Sequence, residues 1–159
     1  MKSALYVVTV VRTYRKAIDD YLTDPTLYPK NMDWYLYQIS NCTCRQFTTG
    51  FFFRKPGDEA QIYDSNTYVK EYTYLGIIGE PNEKGFYQIS QRNKFSVGET
   101  IEVMKPSGEN LEVQVRGIYD QEGNAMESAP HPKQILYLDL GVPLEPFDIL
   151  RRREAAAEF

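Results

Sequence analysis

The residues of this chain that could carry out catalysis are few. His131 is the single histidine and stands between two prolines, and the two cysteines are Cys42 and Cys44. A nucleophilic hydroxyl or thiol needs a neighbouring base, so a serine- or cysteine-based hydrolytic centre would have to use His131. Flanking prolines orient an imidazole, but they are equally typical of a rigid structural loop. We therefore predict no catalytic residue in this chain, with a peptidase centred on His131 as an alternative.

The sequence lacks the motifs of common cofactor and metal sites. It has no Walker loop, dinucleotide fingerprint, His-Glu-x-x-His zinc motif or calcium loop. Cys42 and Cys44 are one residue apart, which suits neither a disulfide framework nor the usual zinc pairs. No apolar run approaches the roughly 18 residues that span a bilayer. We expect no metal or cofactor in this chain, no membrane partner, and a reducing, cytoplasmic compartment.

Arg92, Asn93 and Lys94 form the clearest candidate for a binding site. With nearby aromatic residues they could form a basic, aromatic platform of the kind that binds nucleic acid; these aromatic residues are Phe86, Tyr87 and Phe95. The charge balance opposes this interpretation. Residues 56–159 hold ten Lys and Arg against eighteen Asp and Glu, a net charge of −8, and attraction to phosphate dominates non-specific affinity. A β-barrel that contacts protein, or acts as a lid, is the other interpretation.

The charge distribution also divides the chain near Lys55. Residues 1–55 hold eight Lys and Arg against four Asp and Glu, a net charge of +4, which with −8 gives the overall −4. The turn residues Pro56 and Gly57 follow at once. We predict a helical segment with a connector at 1–57, a small β-barrel at 58–151 and a tail at 152–159.

Two helices are predicted in the first part. Apolar residues recur every three or four positions from Ser3 to Leu22, and charged residues take the other side. This apolar stripe consists of Leu5, Val8, Val11, Tyr14, Ile18 and Leu22. Ser3 is expected to cap the helix and Asp24-Pro25 to end it. A shorter helix is expected over residues 32–40, with Asn31 as its cap.

The second part reads as short strands separated by turn residues, which predicts an antiparallel barrel. Strands are expected at 71–79, 85–91, 100–104, 111–119 and 134–140. A hairpin from Gly85 to Val103 is expected at the centre, with a polar loop anchored by Phe95 and a positive φ at Gly98. The predicted fold class is α+β, with N-terminal helices followed by a small antiparallel β-barrel.

The connector contains three consecutive phenylalanines at positions 51–53, after Thr48-Thr49-Gly50. Neighbouring side chains of an extended segment point to opposite sides, so hiding all three requires cover on both sides. We predict that this segment lies between two bodies. Ordinary core aromatics are the alternative.

Several segments, taken together, resemble a known family. They are Met1-Lys2-Ser3 with Tyr6-Val7 and Tyr14 to Asp19, Arg45 with Thr48 to Phe53, Gln91 to Phe95 followed by Gly98, Pro130-His131-Pro132, and Asp148 to Arg152. In this order they resemble the C-terminal part of the collagenase-like peptidase family U32, over nearly the whole chain. The candidate substrate-binding residues come from these segments and are Arg45, Thr49, Arg92, Asn93, Lys94 and His131.

The resemblance implies that this chain is one part of a larger enzyme. Family members have a large N-terminal α/β barrel, and in many of them its cysteines hold an iron–sulfur cluster. Those cysteines would precede Met1, and Cys42 and Cys44 do not match them. Where the family commonly has a histidine before Arg45, this chain has Cys44. Members are described as peptidases, while relatives in the family resemble enzymes that hydroxylate tRNA or ribosomal RNA bases.

These observations favour a C-terminal accessory region, a lid or a substrate-docking module, of a U32 peptidase-like enzyme. The alternatives are a stand-alone RNA-binding β-barrel and part of a tRNA or rRNA base-hydroxylation enzyme. The expected partners are the α/β barrel of the parent enzyme and a protein or RNA substrate. Without that barrel the apolar stripe of the first helix would stay exposed, so the isolated chain is expected to self-associate.

Overall fold

The structure, a computed structural model, describes residues 3–42, 51–55, 57 and 71–154. Within these residues, the helices are α1 (Ala4–Thr23), α2 (Leu27–Lys30) and α3 (Met32–Ser40). The strands are β1 (Tyr72–Pro81), β2 (Tyr87–Gln91), β3 (Phe95–Ser96), β4 (Thr100–Met104), β5 (Asn110–Gln114), β6 (Gly117–Tyr119), β7 (Ala125–Met126), β8 (Ser128–Ala129), β9 (Ile135–Asp139) and β10 (Ile149–Arg153). The predicted α+β class is confirmed.

Helix α1 begins and ends close to where the sequence predicted. The Ser3 hydroxyl accepts a hydrogen bond from the Tyr6 N–H at 3.2 Å, which satisfies one of the donors left free at a helix start. Asp24, the residue before Pro25, takes an extended conformation with φ −154° and ends the helix. Among the described residues, no helix has both the length and the apolar character needed to cross a bilayer.

Helix α3 has the predicted bounds, but Asn31 does not cap it through its side chain. The Asn31 Nδ2 instead donates to Asp20 Oδ2 at 3.0 Å, and the Tyr35 hydroxyl donates to the same oxygen at 2.6 Å. The bond from Tyr35 lowers the pKa of Asp20. These hydrogen bonds hold α3 against α1. The short helix α2, which was not predicted, lies between them in the chain.

The ten strands form one antiparallel sheet of eight, in the order β5-β4-β10-β1-β2-β9-β6-β7, and a ribbon of two, β3 and β8. The predicted strand 111–119 bends at Val115 and Arg116, so that β5 pairs with β4 whereas β6 pairs with β9. Because β5 and β6 belong to one stretch of chain, the sheet curls back on itself. Its interior is filled by buried apolar side chains that include Leu75, Ile78, Ile89, Phe95, Val103, Ile118, Leu136 and Leu150.

The predicted hairpin from Gly85 to Val103 is wrong. Strand β2 pairs with β1 and β9, whereas β4 pairs with β10 and β5. The reason lies in the connection: Phe95 is fully buried, and β3 pairs with β8 before the chain reaches β4. The burial of Phe95 therefore redirects the chain to another part of the sheet.

The basic C-terminal segment is also a strand, so the predicted start of the tail at residue 152 requires correction. Strand β10 lies between β1 and β4 and includes Arg152 and Arg153. Arg151 is 1% exposed; its Nε donates to Glu102 Oε2, and its guanidinium lies 3.7 Å from the ring centroid of Tyr72. A carboxylate and an aromatic face on neighbouring strands make a buried arginine tolerable.

The helices contact the sheet through a polar side of α1, not through its apolar stripe. Its buried residues are Thr9, Arg12 and Thr13. The Arg12 Nη1 donates to Asn110 Oδ1 at 2.7 Å and to the Lys105 carbonyl at 3.2 Å, and its Nη2 donates to Gln38 Oε1 at 3.2 Å. Burial, and then the neighbouring charge of Arg151, lowers the pKa of Arg12 to about 10, so it is charged at neutral pH.

Arg12→Leu should destabilise the chain by about 2 to 3 kcal/mol, because it leaves buried acceptors on α3 and on the β4–β5 connection without their donor. Arg15→Leu is the matched control on the same helix. The Arg15 ion pair with Asp19 is exposed to solvent, so its loss should change the stability far less than the loss of Arg12 does. Urea denaturation measures the free energy of unfolding of both variants. Equal losses of unfolding free energy would show that Arg12 does not hold the helices to the sheet.

Gly98 has a positive φ of 86°, as the sequence predicted. A Cβ at this position would meet no atom within 4 Å, so a substitution acts through the backbone alone. We expect Gly98→Ala to cost about 1 kcal/mol of unfolding free energy. Gly79→Ala is the control, because Gly79 lacks a positive φ and its added Cβ would make ordinary contacts at 3.6 Å. Thermal unfolding should separate the two variants; identical melting temperatures would argue against backbone strain at Gly98.

Candidate nucleic-acid interface

The buried side chain of Gln91, at the end of β2, joins two loops of the sheet. Its Nε2 donates to the Ala129 carbonyl and, at 3.3 Å, to the Asn93 carbonyl. Its own backbone carbonyl accepts from the Lys133 N–H at 3.2 Å. The segments 91–94 and 130–134 therefore lie side by side, although about forty residues of chain separate them.

Segment 91–94 is held against β1 by its backbone and by Asn93. The Arg92 N–H donates to the Leu75 carbonyl at 2.8 Å, and the Asn93 Nδ2 donates to the Tyr74 carbonyl at 2.7 Å. The Asn93 side chain thus fixes the loop, which leaves the exposed side chains of Arg92 and Lys94 as its charged surface. Burial raises the pKa of the nearby Tyr74.

Segment 130–134 turns sharply between β8 and β9. Lys133 has a φ of 68°, and the Gln134 N–H donates to the His131 carbonyl at 3.3 Å. His131 and Lys133 are both exposed. The structure thus brings four cationic or titratable residues onto two adjacent loops, and we name this set the basic loop surface: Arg92, Lys94, His131 and Lys133.

The charges around the basic loop surface leave it positive. Within the described part of the chain, Arg92, Lys94 and Lys133 make no ion pair, whereas the neighbouring Arg152 is neutralised by Glu99 at 2.8 Å. The bond to Glu99 raises the pKa of Arg152. Arg152 also donates to the Lys94 carbonyl at 3.4 Å, which ties this loop to β10. The surface therefore carries positive charge in spite of the negative total.

The aromatic residues predicted to accompany Arg92 and Lys94 lie elsewhere. Phe95 is fully buried. Phe86 stacks on Tyr119, with ring centroids 4.5 Å apart, at the other end of β2 from Gln91. The Tyr87 hydroxyl accepts from the Leu144 N–H at 3.0 Å. The alternative interpretation, a platform of basic and aromatic residues, is therefore wrong, because Phe86 and Tyr87 lie at the far end of the five-residue strand β2 from the loop.

Two predicted site residues, Arg45 and Thr49, lie outside the described residues. Next to them, Phe51, Phe52 and Phe53 are 77% to 84% exposed, so the structure does not cover them as the sequence predicted. Lys133 and the role of Gln91 were not predicted. The position of Lys133 directly after Pro130-His131-Pro132 was the available signal, whereas the hydrogen bonds of Gln91 depend on the approach of a distant loop.

The sequence resembles family U32, many members of which carry an iron–sulfur cluster. The residues of this chain do not fit such a cluster. Clusters held by thiolates use four cysteines, and this chain has two. Cys42 is buried just after α3. Across the described ranges, no three His, Cys, Asp or Glu residues gather in an arrangement that could bind a metal ion.

The helices form a second surface of different character. A groove with a volume of about 530 Å³ lies between α1 and the α2–α3 pair, and most of its lining is apolar. It includes residues of the apolar stripe: Tyr14 is 61% exposed, Ile18 51% and Leu22 73%. The stripe therefore remains uncovered by the sheet.

Comparison with known families assigns both parts of the chain. Residues 70–151 match the family model described as the peptidase family U32 C-terminal domain, and residues 1–62 match that of peptidase family U32 itself. The chain belongs to peptidase family U32. The first match covers the curled sheet from β1 to within β10, and the second covers the three helices.

Curated relatives of this chain are named for an RNA modification. The chain is 33% identical over 153 residues to tRNA hydroxylation protein P1 of Bacillus subtilis, covering 96% of this chain and 36% of the relative. It is 29% identical over 146 residues to tRNA hydroxylation protein P of Escherichia coli, covering 91% and 31%. The chain thus spans about a third of the length of these relatives.

Two solved structures match part of the chain. The first is the C-terminal domain of a Geobacillus thermoleovorans protein assigned to the U32 peptidases, in its selenomethionine variant, with 30% sequence identity. The match covers 50% of this chain and 99% of that one, with a TM-score of 0.46. A second structure of the same domain matches at 30% identity over 52% of this chain and 92% of that one, with a TM-score of 0.45.

Gln91→Met should loosen the basic loop surface, because it removes the donor from two carbonyls while keeping the volume of the side chain. We expect a loss of about 1 to 2 kcal/mol and faster hydrogen exchange at the Lys133 amide. Gln88→Met, on the half-buried other side of β2, should change neither quantity appreciably. Unchanged exchange at Lys133 in the Gln91 variant would show that the loops are held together by other contacts.

Proposed function

We propose that this chain is the C-terminal, RNA-docking region of a U32-type tRNA hydroxylation protein, and that it contributes no catalytic group of its own. The observation that carries the proposal is the Gln91-centred joining of two loops, which places Arg92, Lys94 and Lys133 on one surface. The names of the relatives favour tRNA as the substrate class. Cations on fixed loops suit phosphate contacts, which position an RNA without reading its sequence.

The negative net charge is compatible with this proposal because the charges are separated along the sheet. At the end of β2 opposite to Gln91, a depression of about 330 Å³ is lined by residues of two turns, which include Glu83, Asp120 and Glu122. This end repels phosphate, whereas the basic loop surface attracts it. The separation of negative and positive charge would orient a bound RNA on the molecule, and the basic loop surface would hold it.

The helical groove would serve a different partner, the remaining part of the parent protein. The relatives extend well beyond the part that matches this chain, and the model of the U32 family itself matches the helical residues. Covering exposed aliphatic and aromatic side chains stabilises a contact by roughly 1.5 to 3 kcal/mol for each one fully buried. We propose that the apolar groove packs against the N-terminal α/β barrel, and that self-association replaces this contact in the isolated chain.

The RNA-docking proposal is tested by titrating an unmodified tRNA transcript with the full chain at several salt concentrations. Arg92→Gln combined with Lys133→Gln should weaken binding about tenfold or more. The slope of log affinity against log salt concentration should become less steep by about 1 for each lost phosphate contact. Lys30→Gln combined with Lys84→Gln is the control. It removes the same charge from α2 and from the acidic end of the sheet.

Equal losses in the two double variants would show that only the total charge matters. No tRNA binding by the unchanged chain would overturn the proposal. The peptidase name of the family favours a second candidate function, which is a lid or docking module for protein substrates. Gelatin in excess should not displace the tRNA; displacement, together with loss of gelatin binding in the Arg92 and Lys133 variant, would favour that candidate.

A further inference from the structure

A cleft with a volume of about 740 Å³ begins at Lys94, beside the basic loop surface. It lies between the β3–β8 ribbon and the β6–β7 pair. The cleft is open to solvent, and its volume is large enough to receive part of a ligand. Its lining includes Lys94, Ser96, Val97, Arg116, Met126 and Ser128.

The walls of the cleft combine apolar surface with neutral hydrogen-bonding groups. Val97 is 41% exposed although it is an aliphatic residue, and Met126 is half-buried. Ser96 and Ser128 are opposite each other in the β3–β8 ribbon and are both half-buried. A planar heterocycle needs this combination, because its faces are apolar and its edge carries donors and acceptors.

The rim of the cleft carries two exposed cations, Lys94 and Arg116. The backbone N–H of Arg116 donates to the Asp139 carbonyl at 2.9 Å. The Arg116 guanidinium covers Gly141, where an added Cβ would fall 2.1 Å from the Arg116 Cζ. Glu127 is the acidic residue in the lining of this cleft. Two cations against one carboxylate leave the rim positive.

We propose that this cleft receives one unstacked nucleotide of a single-stranded RNA segment. The base would contact Val97 and Met126, with its edge towards the serine pair, and the flanking phosphates would bind Lys94 and Arg116. A duplex keeps its bases stacked and paired, so the cleft selects loops and single strands. This inference rests on the proposed function, because Lys94 belongs to both surfaces, and it narrows the substrate from tRNA in general to an unpaired segment.

The test compares binding of the full chain to a short fluorescent RNA oligonucleotide, as a single strand and annealed to its complement. The single strand should bind about tenfold more tightly than the duplex. Arg116→Gln should remove most of this preference, and Arg116→Lys should restore it. Glu127→Gln should strengthen binding to the single strand, because it removes the carboxylate from the rim.

A second measurement does not depend on charge. A photoreactive uridine in the oligonucleotide should crosslink to residues 96–97 or 126–128, and Ser128→Phe, which fills the cleft, should abolish the crosslink. Circular dichroism checks that this variant is folded. Equal affinity for single strand and duplex, with crosslinks confined to the loops at 91–94 and 130–134, would overturn the cleft proposal and leave RNA docking intact. Absence of RNA binding altogether would overturn both.

Discussion

The bend of the chain at Val115 and Arg116 is the constraint on which the rest of the sheet depends. On one side of the bend the chain pairs with β4, and on the other it pairs with β9, so a single stretch supplies the first strand of the sheet order and the strand before the last. The bend is held by backbone bonds: the Gly98 N–H donates to the Val115 carbonyl at 2.8 Å, and the Val115 N–H donates to the Glu99 carbonyl at 3.0 Å. It encloses the core and brings Arg116 to the cleft.

Buried polar side chains determine how the loops, the helices and the last strand are attached to the curled sheet. Gln91 joins two loops, Arg12 joins the helices to the sheet, and Arg151 joins the neighbouring strands β10 and β4. Hydrogen bonds of this kind specify one arrangement more strictly than apolar contacts do, since an unpaired buried group costs about 1 to 3 kcal/mol. The helices, whose apolar stripe stays exposed, therefore still have a defined position on the sheet.

The sequence alone could predict the elements that are governed by local rules. Helix α1 follows from its period and its caps, β4 from a short apolar alternation, and the conformation of Gly98 from the need to turn. Apart from the short helix α2, the failures involve pairing between distant residues. Arg152 and Arg153 were assigned to a tail because their pairing with Thr73 and Tyr72 of β1 cannot be read from the sequence. The Gly85–Val103 hairpin was wrong because Phe95 pairs with Ala129.

The same limit applies to the candidate site. Arg92, Lys94 and His131 were identified from residue type, but their nearness to one another depends on the hydrogen bonds of Gln91 to two loops, which no periodicity indicates. The aromatic residues were grouped with them by distance along the chain, whereas an extended strand of five residues carries its two ends roughly 15 Å apart.

The position of β10 has a consequence for the synthesis of the protein. This strand follows all the others in the chain, yet it lies between β1 and β4, near the middle of the sheet. While the chain emerges from the ribosome, β1 and β4 each present an edge without a partner until residues 149–153 arrive. The helices and the pairing of β1, β2 and β9 can form earlier, but the curl closes last. Ribosomes that stop before Ile149 would therefore release a chain with two open edges, prone to pair with other chains.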